Sequence, residues 1–220
     1  NAKWCATPAD LPHNAPLFIL ANEFFDALPI RQFVKAQSGW QERQIGFTDT
    51  LTFGLAPPMP MPLLDSRFPG IPEGTLVELN PTAEAITAAL AAIVETQGGA
   101  FLSIDYGAWD GTGDTLQALE NHTFTDPLAN PGEADLTAHV AFRWLAEATP
   151  LRPHFTDQGT FLKSLGIEQR ASALSTAQPH RAEEITSQFL RLTGASEMGT
   201  LFKTLALLPQ SAPLPPGFPS

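Results

Sequence analysis

Two short apolar runs constrain this chain more than any other feature. Leu17-Phe18-Ile19-Leu20-Ala21 and Ala100-Phe101-Leu102-Ser103-Ile104 carry almost no polar side chain and then stop in acids. The first stops in Asn22, Glu23 and Asp26, the second in Asp105-Tyr106-Gly107. Apolar runs of this length predict strands covered on both faces, as in a sheet flanked by helices. In open α/β sheets ligands bind beyond the carboxyl ends of the strands. Acids at two such ends therefore point to one shared crevice. The residues leave an alternative open, in which Asn22 and Asp26 merely cap the turns that follow.

The rest of the chain supports a sheet with helices. Residues 30–36 and 40–47 flank Gln37-Ser38-Gly39 and predict a hairpin. Pro57, Pro58, Pro60, Pro62, Pro69 and Pro72 make residues 55–72 an ordered loop or a lobe boundary. A strand is expected over 75–79. Asn80-Pro81 then opens a helix, with Asn as cap and Pro in the first turn. Ile86, Leu90, Ile93 and Val94 line one face of that helix, and Gly98-Gly99 ends it. Residues 109–131 are rich in Gly, Asp, Asn and Pro, with helical potential around 115–119. A helix capped by Asp135 is expected to run to about Ala148 and stop at Pro150. Beyond it the pattern gives a strand at 151–155, helices at 157–165, 167–174 and 181–192, and a last strand at 200–207. Strand and helix in alternation predict a single α/β domain over residues 1–220, with lobe segments at about 30–72 and 108–150.

Charge and composition exclude several functions. The net charge of −11 comes from 23 Asp and Glu against 12 Lys and Arg, and no basic cluster is present, so nucleic acid is not an expected partner. An acidic field suits a cationic partner better. The lone Cys5 rules out an internal disulfide framework and a Cys-rich zinc site. Asp135 and His139 would share a helix face, but with no third ligand at helical spacing no metal is expected. The longest apolar stretch, 85–94, is about half of what a bilayer span needs. The first ten residues carry no targeting pattern.

Five segments, "ANEFFDALPIRQF", "LSIDYG", "GDTLQALENHTFTDPLANPGEADLTAHV", "FLKSLGIEQRA" and "RLTGASEMGTLFKTLAL", occur in that order. Together they resemble the MidA-like family of class I S-adenosylmethionine-dependent methyltransferases, which includes a mitochondrial assembly factor of respiratory complex I that methylates a protein arginine. The resemblance implies a Rossmann-like methyltransferase sheet with S-adenosylmethionine as cofactor and a protein partner that offers a target arginine. It places the protein in the cytoplasm of a bacterium or in the mitochondrial matrix of a eukaryote.

The family's glycine-rich turn has no counterpart before Asn22, so the chain looks like the carboxy-terminal part of such a protein, without the first βαβ half. It is then expected to hold the cofactor weakly by itself. Ala141 stands where the family usually has an acid. For an arginine acceptor, carboxylates that accept parallel N–H bonds fix the guanidinium plane and draw charge from the attacking nitrogen. The resemblance assigns this catalytic work to Glu23, Asp26 and Asn22. Asp105, Tyr106 and His122 are then expected on the substrate side, with His122 as a candidate proton acceptor. Phe24 and Phe25 would wall the site against water, with packing into the core the alternative role for at least one of them. A second reading stays open, in which the acidic crevice grips an Arg-bearing segment as an assembly module without turnover.

Overall fold

The computed structural model describes residues 2–12 and 14–219 of the chain. Its elements run β1 (Leu17–Asn22), β2 (Arg31–Ala36), β3 (Gly39–Phe47), β4 (Leu51–Leu55), α1 (Pro62–Arg67), β5 (Leu76–Leu79), α2 (Pro81–Gln97) and β6 (Gly99–Ala108). They continue as β7 (Gln117–Glu120), β8 (Thr123–Thr125), β9 (Asp135–Thr137), β10 (Val140–Ala141), α3 (Phe142–Glu147), β11 (Arg152–Asp157) and α4 (Gln158–Ser164). The last are α5 (Ile167–Ala177), α6 (Ala182–Thr193), α7 (Met198–Leu201) and β12 (Phe202–Leu208).

The main sheet has the order β1-β6-β12-β11, with β10 added beside β6. β1 and β6 are parallel in a register from Leu17 opposite Gly99 to Asn22 opposite Ile104. β6 then runs on to Ala108, so Asp105, expected just past a strand end, lies within the strand, and only β1 stops in acids at this level. β12 and β11 are antiparallel to their neighbours. On one face α2 and α3 enclose the main core, in which Phe25, Val94, Phe101, Phe142, Leu145, Leu205 and Leu207 are buried together. Phe161, Ala206, Leu208 and Phe218 form a smaller cluster on the other face. The helix opened by Asn80 forms as expected, because the Asn80 side chain accepts from the Ala83 N–H at 2.9 Å and Pro81 needs no donor there.

The segments between these elements build two further sheets. Residues 31–79 give an antiparallel sheet of order β4-β3-β2-β5, whose buried side packs Phe33, Trp40, Leu64, Phe68 and Val77 against Trp144 of α3. A buried polar network ties this sheet to the main one. Glu78 accepts from Gln32 Nε2 at 2.7 Å and from the Thr115 N–H at 2.9 Å, and Thr115 Oγ1 accepts from the His139 N–H at 2.9 Å. Residues 117–137 give a three-stranded sheet of order β8-β7-β9.

Four expectations are corrected here. Residues 115–119 are not helical but lead into β7, and the stretch after Asp135 is β9 and β10, with α3 beginning only at Phe142. In "DLTAHV" polar and apolar residues alternate with period two, and Ala138 and Val140 are buried while Asp135 is exposed. That alternation defines a strand and outweighs the capping potential of Asp135. The proline-rich stretch also holds a helix, α1, because Pro62 stands at its first turn where no donor is required. Finally, β1 is not covered on both faces by the described residues. It lies at an edge of the sheet, with Phe18 79% and Leu20 67% exposed.

Candidate active site

The turn after β1 is set by what β6 offers it. The Glu23 N–H still donates to the Ile104 carbonyl at 2.9 Å, continuing the ladder one residue past the strand. Glu23 itself takes φ +48°, a left-handed conformation that is strained for a side chain of its size and survives only where neighbours fix it. They do so at once. One oxygen of Asp105, Oδ2, accepts from the N–H groups of Phe24, Phe25 and Asp26 at 3.2, 3.0 and 3.4 Å. The Asn80 amide reaches the carbonyls of Phe25 and Leu28, and the Ala138 N–H donates to the Asp26 carbonyl at 3.0 Å. The turn is thus clamped from β6, α2 and the end of β9. Phe25 drops into the core at 1% exposure while Phe24 stays outside at 44%.

This turn forms one wall of an open cavity of about 730 Å³. The lining brings Glu23 and Asp26 of the turn and Tyr106 of β6 together with Gln117, Leu119, Phe124, Asp135, Thr137 and His139 from the segment between β6 and α3, closed by Leu201 and Phe202. Three acids and no Lys or Arg line it. Tyr106 donates its hydroxyl to Asp26 Oδ2 at 2.7 Å, and its ring meets His139 and Phe202 edge-on, each at 5.5 Å between centroids. Burial pushes the Tyr106 phenol well above its ordinary value, so it stays a donor. The second oxygen of Asp26, Oδ1, has no hydrogen-bond partner although the residue is only 7% exposed. A buried carboxylate oxygen without a donor costs free energy until a donor arrives. Burial also lowers the His139 pKa, against the opposing pull of Glu78, which leaves the imidazole neutral at pH 7.

The residues expected from sequence therefore divide. Glu23, Asp26 and Tyr106 converge on the cavity, and exposed Asn22 stands beside it, donating its amide to Glu23 Oε1 at 3.1 Å. Asp105 does not face the cavity. It is wholly buried behind the turn, where its Oδ2 holds three N–H groups and its Oδ1 accepts from the Tyr106 N–H at 3.2 Å. Burial first, and Asp26 second, raise its pKa to about 7 against the pull of those N–H groups. His122 also stands apart. It occupies the turn between β7 and β8 at φ +62°, exposed and outside the lining. The histidine of the cavity is His139, and together with Asp135 and Thr137 it was detectable from the alternation in "DLTAHV". Asp135 and His139 share this cavity through strand geometry, and the described residues hold no group of three or more His, Cys, Asp or Glu fit for a metal. Ala141 lies outside the lining, with its Cβ packed against Gly111.

Toward S-adenosylmethionine the described residues offer an exposed amide and carboxylate at the tip of β1, Asn22 and Glu23, whose oxygens can face a positive charge. Gly107 of β6 and Gly111 after it add no cradle to them: a Cβ on Gly107 would stand 2.2 Å from the Val140 carbonyl oxygen and one on Gly111 would stand 2.3 Å from the Ala141 Cβ, so both are committed to internal packing.

A family described as "Putative S-adenosyl-L-methionine-dependent methyltransferase" matches residues 1–154. Among curated relatives, the mitochondrial protein arginine methyltransferase NDUFAF7 of Xenopus tropicalis is 35% identical over 220 residues, which cover 94% of this chain and 50% of the frog protein. The human NDUFAF7 is 34% identical over 207 residues, covering 87% of this chain and 45% of its own length. The chain thus spans about half the length of the curated relatives it matches. A Burkholderia thailandensis protein solved bound to S-adenosyl-homocysteine superposes with a TM-score of 0.80 at 26% identity, over 99% of this chain and 57% of that one.

Proposed function

The chain belongs to the MidA-like family of S-adenosyl-L-methionine-dependent methyltransferases, and from that premise we propose that it carries the acceptor side of an enzyme that methylates an arginine of a protein partner. The observation that carries the proposal is a cavity whose three charged lining residues, Glu23, Asp26 and Asp135, are all acids. A planar group with several N–H donors and a positive charge satisfies all three. On this reading the two small sheets form a substrate-facing lobe.

The cofactor, when bound, supplies a methyl carbon on a positively charged sulfur, and its C–S bond breaks as the new N–C bond forms. The chain's own residues align the acceptor and manage its charge. Asp26, fixed by Tyr106, accepts from one edge of the guanidinium and holds its plane. Glu23, presented by its left-handed backbone and steadied by Asn22, accepts from the nitrogen that attacks. Drawing positive charge toward two carboxylates raises the nucleophilicity of a group that otherwise stays protonated to a pH of roughly 12. The proton shed by the methylated nitrogen passes to Glu23, which is exposed and can release it to water. Neutral His139 contributes an edge of the slot without adding a competing positive charge.

The test uses the longest natural form of the protein that contains this chain. It is incubated with methyl-labelled S-adenosylmethionine and a peptide with a single arginine, and label incorporation and peptide affinity are both measured. Incorporation into arginine is expected, falling at least about 100-fold in the Asp26→Asn variant, as for loss of one aligned charged contact. A second reading, an assembly module that grips an Arg-bearing segment without turnover, rests on the same acidic lining. Arginine-dependent peptide binding with no incorporation would select it and defeat the enzyme.

A further inference from the structure

The acidic cavity has an apolar flank that holding a guanidinium does not require. Across the three-stranded sheet, Leu119 of β7 stands opposite Phe124 of β8 on one side and opposite Asp135 of β9 on the other. The three form one cross-strand row, apolar, apolar and acidic, and all three line the cavity. Phe124 is 71% exposed, and Leu119 beside it is half-buried. Isolated exposed apolar residues are ordinary. A contiguous set beside a polar cavity marks a place where something docks.

We infer that this row reads the sequence around the target arginine, so that the preferred substrate is a polypeptide carrying an apolar side chain about two residues away. The inference rests on the arginine reading above. Charge selects the occupant, because a segment docking here must set a cation against Glu23, Asp26 and Asp135. The spacing follows from sheet geometry. Neighbouring strands lie about 4.8 Å apart, so Asp135 and Phe124, two strands apart, are separated by roughly 10 Å. In an extended peptide, side chains two residues apart point the same way at about 7 Å, and the length of the arginine side chain spans the remainder. With the guanidinium between Asp26 and Asp135, a Leu or Phe two positions along the segment falls on Leu119 and Phe124. Burying it there is worth about tenfold in affinity or more.

The experiment uses simple synthetic peptides in place of the natural substrate. Fluorescein-labelled peptides of a Gly/Ser background with one central arginine are titrated against the protein by anisotropy, carrying Leu, Phe or Ala two residues to either side. A companion set replaces the arginine by lysine. The expected result is that the Leu and Phe peptides bind about tenfold tighter than the Ala peptide, and that Phe124→Ala brings them to the same affinity. Equal affinities in the natural protein would overturn the inference, as would a preference that survives Phe124→Ala. Sedimentation of the protein alone provides another check, since self-association abolished by Phe124→Ala would assign the face to a second copy and also overturn it. Failure of the arginine reading shows separately, as no difference between the arginine and lysine sets.

Discussion

Asp105 allows the construction of the site to be tested by protonation alone. It is wholly buried, and its pKa in the folded protein is raised to about 7, from an ordinary value of 3.8, by burial and then by Asp26. Between those values the folded protein holds a proton that the unfolded chain has released. The sign follows from that difference: the contribution is fully present below pH 3.8 and is lost as the pH rises through 7. Integrating the single-site titration from pH 5 to pH 8 gives a loss of about 2.5 kcal/mol. An Asp105→Asn variant keeps an oxygen for the three N–H groups of the turn but has nothing to titrate. Urea unfolding of both proteins at pH 5, 6, 7 and 8 is the assay, read as the difference between them. Taking the difference matters because burial lowers the pKa of His139 and His154. Their contribution has the opposite sign, rising with pH, and is common to both proteins. The variant is expected to gain on the natural protein by about 2.5 kcal/mol over the range. Curves that stay parallel within about 0.5 kcal/mol, an ordinary additivity error, would refute the argument that Asp105 is a buried clasp at odds with its own charge.

Two further outcomes are expected. Gly107→Ala should cost about 2–4 kcal/mol and show as a clear drop in Tm by calorimetry, because the added Cβ would stand 2.2 Å from the Val140 carbonyl oxygen at a backbone φ of +153°. Asn80→Ala should cost about 1–2 kcal/mol in the same measurement, since it removes the cap of α2 and the amide that reaches the carbonyls of Phe25 and Leu28.

Much of the site was legible in the chain itself. Strand tips that end in acids are a local pattern, and the turn residues Glu23 and Asp26 did prove to lie on a cavity beside Tyr106. The roles of Asp105 and His122 were not legible, because neither composition nor spacing says which way a side chain points once a chain turns. Asp105 follows an apolar run just as Asn22 does, yet β6 continues through it to Ala108, and the parallel register places it behind the turn of its neighbour, where three N–H groups need an acceptor. His122 lies within a recognisable motif, and the tight turn between β7 and β8 carries it away from the cavity.

The sequence by itself determined the elements whose signals are local. These are the apolar strands β1 and β6, the helix opened by Asn80-Pro81, the hairpin of β2 and β3, and the acidic balance of the chain. Only the tertiary structure decided that Asp135, Thr137 and His139 stand opposite Glu23 and Asp26, and that Leu119 and Phe124 extend the same surface. The physical reason is sequence distance. Residues about a hundred positions apart are brought together by strand pairing and by hydrogen bonds such as that from the Ala138 N–H to the Asp26 carbonyl, and no periodicity within either segment encodes which partner the other will find.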